Sequence, residues 1–125
     1  RTGGEDSDFF RRMAARGARL IVTDRAKAWE PVPPERATSG YMMRRSVRLG
    51  NIHARTALRG ASSGRRLTFG LDAVAKLVVA AAAGLLLWPI NPGIAFRMRM
   101  KMRANLGKLL ALAGVAPSAA WKVPS

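Results

Sequence analysis

The stretch Leu71-Asp72-Ala73-Val74-Ala75-Lys76-Leu77-Val78-Val79-Ala80-Ala81-Ala82-Ala83-Gly84-Leu85-Leu86-Leu87-Trp88-Pro89-Ile90 decides how this chain folds. No charged residue occurs from Leu77 to Ile90, and only Asp72 and Lys76 interrupt the twenty positions from Leu71. Twenty helical residues extend about 30 Å, the thickness of one bilayer hydrocarbon core. The uncharged part is only fourteen residues and is rich in alanine. A span, a re-entrant helix and a buried helix all satisfy that length. Trp88 closes the run where interfacial aromatics gather, and Pro89, Pro92 and Gly93 then mark a sharp turn.

Basic residues flank the run on both sides. Arg65 and Arg66 precede it; Arg97, Arg99, Lys101, Arg103 and Lys108 follow it. The positive-inside tendency puts both clusters on the cytoplasmic side, and a single span would separate them. A membrane-associated helical hairpin over 71–116, re-entering the leaflet it came from, resolves the conflict and is preferred to a transmembrane one. In its second arm Met98, Met102, Leu106, Leu109 and Ala113 share one face, and Arg97, Lys101, Asn105 and Lys108 share another. That is the pattern of an amphipathic helix lying in the interface plane. Residues 60–70 read as a small, polar, basic linker before the hairpin, and 117–125 as a tail after it.

Residues 35–59 form a basic amphipathic helix by pattern. Arg44, Arg48, Arg55 and Arg59 gather within about 60° of one another at about 100° per residue. Met43, Val47, Ala54 and Leu58 collect on the opposite flank, and Gly50-Asn51 reads as a kink or break. Upstream, Pro31, Pro33 and Pro34 force an extended crossing. Leu20-Ile21-Val22 and Ala26 to Glu30 read as two short strands about a turn at Thr23-Asp24-Arg25. Trp29 serves as a core or interface aromatic or as a sugar-stacking platform.

The chain opens on Gly3-Gly4-Glu5-Asp6-Ser7-Asp8-Phe9-Phe10, the start of a helix over 4–16 that Gly17 can end. Phe9, Phe10 and Met13 can share a buried face, while Arg11, Arg12 and Arg16 point elsewhere. Carboxylates in a first turn complement the helix dipole, so charge capping is the plain account of Glu5 and Asp6. Asp6-Ser7-Asp8 matches a metal-holding Asp-x-Asp pattern, but capping or solvated carboxylates are the better reading there. No metal site is assigned. The fold class is mainly α with a short β element.

The formal charge is +15, from 22 Lys and Arg against 7 Asp and Glu, and six of those acids lie within the first 35 residues. Such a balance calls for phosphate-rich partners. The basic helices lack interleaved aromatics for base stacking and carry no nucleic-acid-binding motif, so anionic membrane lipid is expected and nucleic acid is not. The absence of cysteine excludes disulfides and thiolate metal sites. The lone His53 reads as a surface histidine.

Taken together, Thr2-Gly3-Gly4-Glu5-Asp6-Ser7-Asp8-Phe9-Phe10, Gly17-Ala18-Arg19, Glu30-Pro31-Val32-Pro33-Pro34-Glu35-Arg36-Ala37-Thr38 and the Arg-rich helix resemble the acceptor-side half of family 2 glycosyltransferases. The look-alikes are bacterial enzymes of exopolysaccharide and cell-envelope glycan assembly, and the likeness covers roughly residues 1–60. It implies that 1–34 are the acceptor-side end of an inverting α/β catalytic domain of the GT-A type. The general base is then Asp6, with Glu5 beside it positioning the acceptor and Gly3, Gly4 and Trp29 around it. Arg36, Arg44, Arg45 and Arg48 are candidates to contact a leaving diphosphate or a lipid headgroup.

The same resemblance implies an upstream nucleotide-binding half, whose Asp-x-Asp would hold a divalent metal, Mg or Mn, with the donor diphosphate. These residues are therefore expected to be a C-terminal fragment, without a donor site or metal of its own and inactive alone. Processive members carry Gln-x-x-Arg-Trp where this chain has Ala37-Thr38-Ser39-Gly40-Tyr41, which favours single transfer. The whole enzyme would move a sugar from a nucleotide-sugar donor to a lipid-linked or glycan acceptor at the cytoplasmic face of a bacterial inner membrane. A non-enzymatic basic membrane-binding protein is the alternative, and a nucleic-acid-binding protein a weaker one.

Overall fold

Side-chain caps set where the helices begin. A computed structural model describes residues 5–117 apart from 20, 22, 26 and 30, with the backbone alone at 5–8. Thr38 Oγ1 accepts from the Tyr41 amide at 3.2 Å and Asn91 Oδ1 from the Ile94 amide at 3.0 Å, with a longer contact from the Arg65 amide to Ser62 Oγ at 3.5 Å. Each satisfies a backbone donor that a helix start would leave open. The helices are α1 Glu5–Ala15, α2 Ser39–Ala57, α3 Ser63–Leu86 and α4 Pro92–Leu112, with a 3-10 turn at Pro34–Ala37. The expected mainly α class holds.

Helix α4 lies between α2 and α3 and packs on both. Its pairing with α3 is antiparallel. A Cβ added to Gly84 would meet Met98 Cβ at 3.4 Å, and one added to Gly70 would meet Leu112 Cδ1 at 3.2 Å, so the end of α3 faces the start of α4. The buried positions are small: Ala73, Ala80 and Gly84 on α3, Ala95 and Gly107 on α4, Gly50 and Ala54 on α2. At the α2–α4 crossing the backbones touch. Gly50 abuts the Ala104 carbonyl, and Gly107 abuts the Val47 carbonyl.

Asn51 ties that crossing together. Its Nδ2 donates to the Gly107 carbonyl at 3.2 Å and to the Val115 carbonyl at 2.9 Å, and its Oδ1 accepts from Arg55 Nε at 2.8 Å. The side chain is 3% exposed; its bond to Gly107 is buried, and those to Val115 and Arg55 are part-buried. Asn51→Asp would set a carboxylate oxygen against two carbonyls. We expect it to lower unfolding stability by about 3–5 kcal/mol, as breaking a buried charge-bearing network does. Asn51→Leu should cost less, because it leaves unpaired groups without adding a buried charge; chemical denaturation in detergent distinguishes the two.

Several expectations are corrected. α2 runs unbroken through Gly50-Asn51, because the absent Cβ there serves a close helix crossing and not a kink. Helix α3 begins at Ser63, inside the stretch expected as a 60–70 linker. No strand forms at Ile21 or over 27–29, and Leu20, Val22, Ala26 and Glu30 lie outside the described residues. Phe9, Phe10 and Met13 are exposed and not buried, since no other described element packs on α1. The two rings meet edge to face, with centroids 5.5 Å apart. Nor is α4 a one-sided interfacial helix: neighbours cover it on two sides, and Asn105, expected on its polar face, is buried.

Candidate functional site

Helix α3 is built inside out. Its small residues face α4, while Leu67, Leu71, Val74, Val78, Val79, Leu85 and Leu86 are exposed. Leu67, Leu71, Val74, Val78 and Leu85 fall within about 60° of one another at about 100° per residue, one continuous apolar stripe. Small residues inside and large apolar ones outside are the arrangement of a helix packed in lipid. At 24 residues and a mean hydropathy of 1.8 over its most apolar window, α3 is long and apolar enough to cross a membrane, and only 17% of that window is buried. The turn after it adds Trp88 and Ile90, also exposed, and the Arg99 guanidinium lies 4.0 Å from the Trp88 ring centroid. That cation–π contact suits a cation held at an apolar boundary.

The basic residues of α2 divide as the pattern requires. Arg44, Arg45, Arg55 and Arg59 are exposed and Arg48 is half-buried, whereas Ala54 and Leu58 are buried and Met43 and Val47 half-buried. Arg36 sits half-buried on the 3-10 turn that packs against α2. Arg36, Arg44, Arg45 and Arg48 are thus carried by two packed elements. His53 is exposed and stacks on Phe69, with ring centroids 6.1 Å apart.

The backbone of Glu5 and Asp6 forms the first turn of α1, which packs on no other described element. The side chains of Glu5 and Asp6, and all of Gly3 and Gly4, lie outside the described residues. Trp29 is 96% exposed, which removes its reading as a core aromatic and leaves a face open for stacking. Among the described residues no three His, Cys, Asp or Glu side chains gather.

One feature escaped the sequence. Ala75, Val79, Ala80, Met98 and Ala104, with Lys76, Lys101, Asn105 and Lys108, line a groove of about 560 Å³ between α3 and α4. Its cations come from two helices joined only through the turn. Their convergence follows from the antiparallel register, which no local spacing announces.

Against known proteins, 106 residues of the chain are 34% identical to the succinoglycan biosynthesis protein ExoM of Rhizobium meliloti (strain 1021). The match covers 85% of this chain and 33% of that protein, so the chain spans about a third of the length of the curated relative it matches. No family model matches the sequence. No solved structure matches it either.

Proposed function

We propose that this chain is the acceptor-side and membrane-docking part of an inverting sugar transferase of bacterial exopolysaccharide assembly. The observation that carries the reading is the similarity to a succinoglycan biosynthesis protein over 85% of the chain; the Glu5-Asp6 pair and the lipid-facing α3 agree with it. In this reading Asp6 accepts the proton of the acceptor hydroxyl as that oxygen bonds to the anomeric carbon of the donor sugar and the nucleoside diphosphate departs. Glu5, Gly3, Gly4 and Trp29 position the acceptor. Arg36, Arg44, Arg45 and Arg48 supply positive charge for the departing diphosphate or for lipid phosphates. The donor site and its divalent cation belong to the rest of the enzyme.

The test is direct. Membranes from cells carrying the gene should move radiolabel from a nucleotide sugar into lipid-extractable or polymeric glycan, and membranes from a deletion strain should not. Equal transfer by both membranes would sink the enzymatic reading and leave the chain as a basic membrane-binding protein.

The membrane half of the proposal makes its own prediction. Lys76 lies ten residues before Leu86 and Lys101 ten after Asn91, so each is at least about 15 Å from the turn, half of a hydrocarbon core of about 30 Å. A hairpin inserted turn-first therefore reaches mid-bilayer as its lysines reach the headgroups. Arg97 is long enough to snorkel outward, and Arg99 is held over the Trp88 ring of the turn. The chain has no cysteine, and Ser63 and Arg103 are exposed. Ser63→Cys and Arg103→Cys should both be labelled from the cytoplasmic side by a membrane-impermeant thiol reagent. Labelling from opposite sides would establish a single span instead.

A further inference from the structure

We propose that the groove between α3 and α4 seats one anionic phospholipid. Its phosphate is held by Lys76, Lys101 and Lys108, and one acyl chain runs over Ala75, Val79 and Met98 toward the turn. Facing positions follow from Gly84 against Met98 and Gly70 against Leu112. They place Lys76 level with Leu106, with Lys101 about 7.5 Å toward the turn and Lys108 about 3 Å the other way along α4, at 1.5 Å per residue. Three lysines therefore line about 10 Å of the groove.

Two of the cations are held in place. Lys108 Nζ donates to Asn105 Oδ1 at 2.9 Å and sits 5.9 Å from the Phe69 ring centroid; Lys76 Nζ pairs with Asp72 Oδ2 at 2.7 Å. Asn105 is itself only 6% exposed, its Nδ2 donating to the Lys101 carbonyl at 3.0 Å. Asp72 is the only acid after residue 35, so no acid from α2 or α4 can neutralise Lys101 or Lys108. That excess of cation over an apolar floor complements a phosphate head with a hydrocarbon tail. The floor also leads the right way. Met98 lies on the turn side of all three lysines, and Val79 on that of Lys76 and Lys108, toward the exposed Leu85, Leu86 and Ile90.

The seat rests on the membrane reading above and not on sugar transfer. Its test is native mass spectrometry of the full chain released from nanodiscs of mixed phosphatidylglycerol and phosphatidylcholine. One retained phosphatidylglycerol per chain is expected. The triple variant K76Q/K101Q/K108Q should lower its retention at least ten-fold. So should Ala75→Trp, which fills the floor without altering charge. R11Q/R16Q/R59Q removes the same charge from exposed positions outside the groove and should retain the lipid as the parent does. Equal losses in the two triple variants would reduce the effect to diffuse electrostatics and overturn the seat. Retention of phosphatidylcholine without preference, or a second copy of the chain in place of lipid, would overturn it as well. A chain that pellets with phosphatidylglycerol vesicles yet retains no lipid refutes the seat and leaves membrane docking standing; a chain that does not pellet refutes both.

Discussion

Asp6→Asn in the full enzyme is expected to lower sugar transfer by about 10²–10⁴-fold, the usual contribution of a positioned general base, while donor binding is unchanged. Asparagine keeps the size of the side chain and its capacity to cap a helix, and it loses only the ability to take a proton. The start of α1 at Glu5 puts Asp6 in the first helical turn, where a carboxylate is favoured in its ionised form. Asp8 shares that turn, so Asp8→Asn removes the same charge from the same dipole. It should leave turnover within a few-fold of the parent. Glu5→Gln should raise the acceptor KM more than it lowers kcat, as loss of a positioning contact does. Matched losses in the Asp6 and Asp8 variants, read by initial rates and by nucleotide-sugar binding, would make the pair a helix cap and remove Asp6 from the chemistry.

What local pattern could reach, the sequence disclosed. The three main helices follow from apolar periodicity and from Pro89, Pro92 and Gly93, and the two-sided character of α2 follows from the 3.6-residue repeat of Arg44, Arg48, Arg55 and Arg59. Ser62 did not announce a helix start, because Gly60-Ala61-Ser62-Ser63-Gly64 is a loop by composition. Its cap, with the Thr68 hydroxyl bonded back to the Arg65 carbonyl at 3.1 Å, overrode that composition. The strands expected from Ile21 and Trp29 needed partners that propensity does not supply.

Tertiary pairing was the larger blind spot. Gly50-Asn51 signals a break when read alone and becomes a contact only once Gly107 is known to lie across from it. Asn105 looked like one more polar residue on a basic face, and is buried because α4 has neighbours on two sides. The same ignorance hid the lysine-lined groove, whose lysines are 25 or more residues apart between α3 and α4. The Glu5-Asp6 pair behaves in the opposite way. Glu5 and Asp6 stand out in sequence, whereas the packing of α1 adds nothing to them.

Gly107→Ala is expected to destabilise the α2–α4 crossing strongly, and Gly50→Ala to do the same. In each case the new methyl group would overlap a backbone carbonyl, of Val47 or of Ala104. A carbonyl within a helix cannot swing aside as the end of a flexible side chain can, so the two helices must separate. Overpacking of this kind costs about 1–3 kcal/mol. Separation also stretches the Asn51 bonds to Gly107 and Val115 across the same junction, which places both variants at or above the top of that range. One kcal/mol shifts the melting temperature by roughly 4–8 °C in a domain of this size, so a drop of more than 10 °C is expected by circular dichroism in detergent. Gly64→Ala is the control: an added Cβ there meets nothing within 4 Å, and alanine in a helix gains about 0.5–1 kcal/mol over glycine. The double variant G50A/G107A gives the sharper result. Once one methyl group has pushed the helices apart, the second finds space already made, so the double should lose distinctly less than the sum of the single losses. Additive losses would mean that the two glycines act at separate places and that α2 and α4 do not share one crossing.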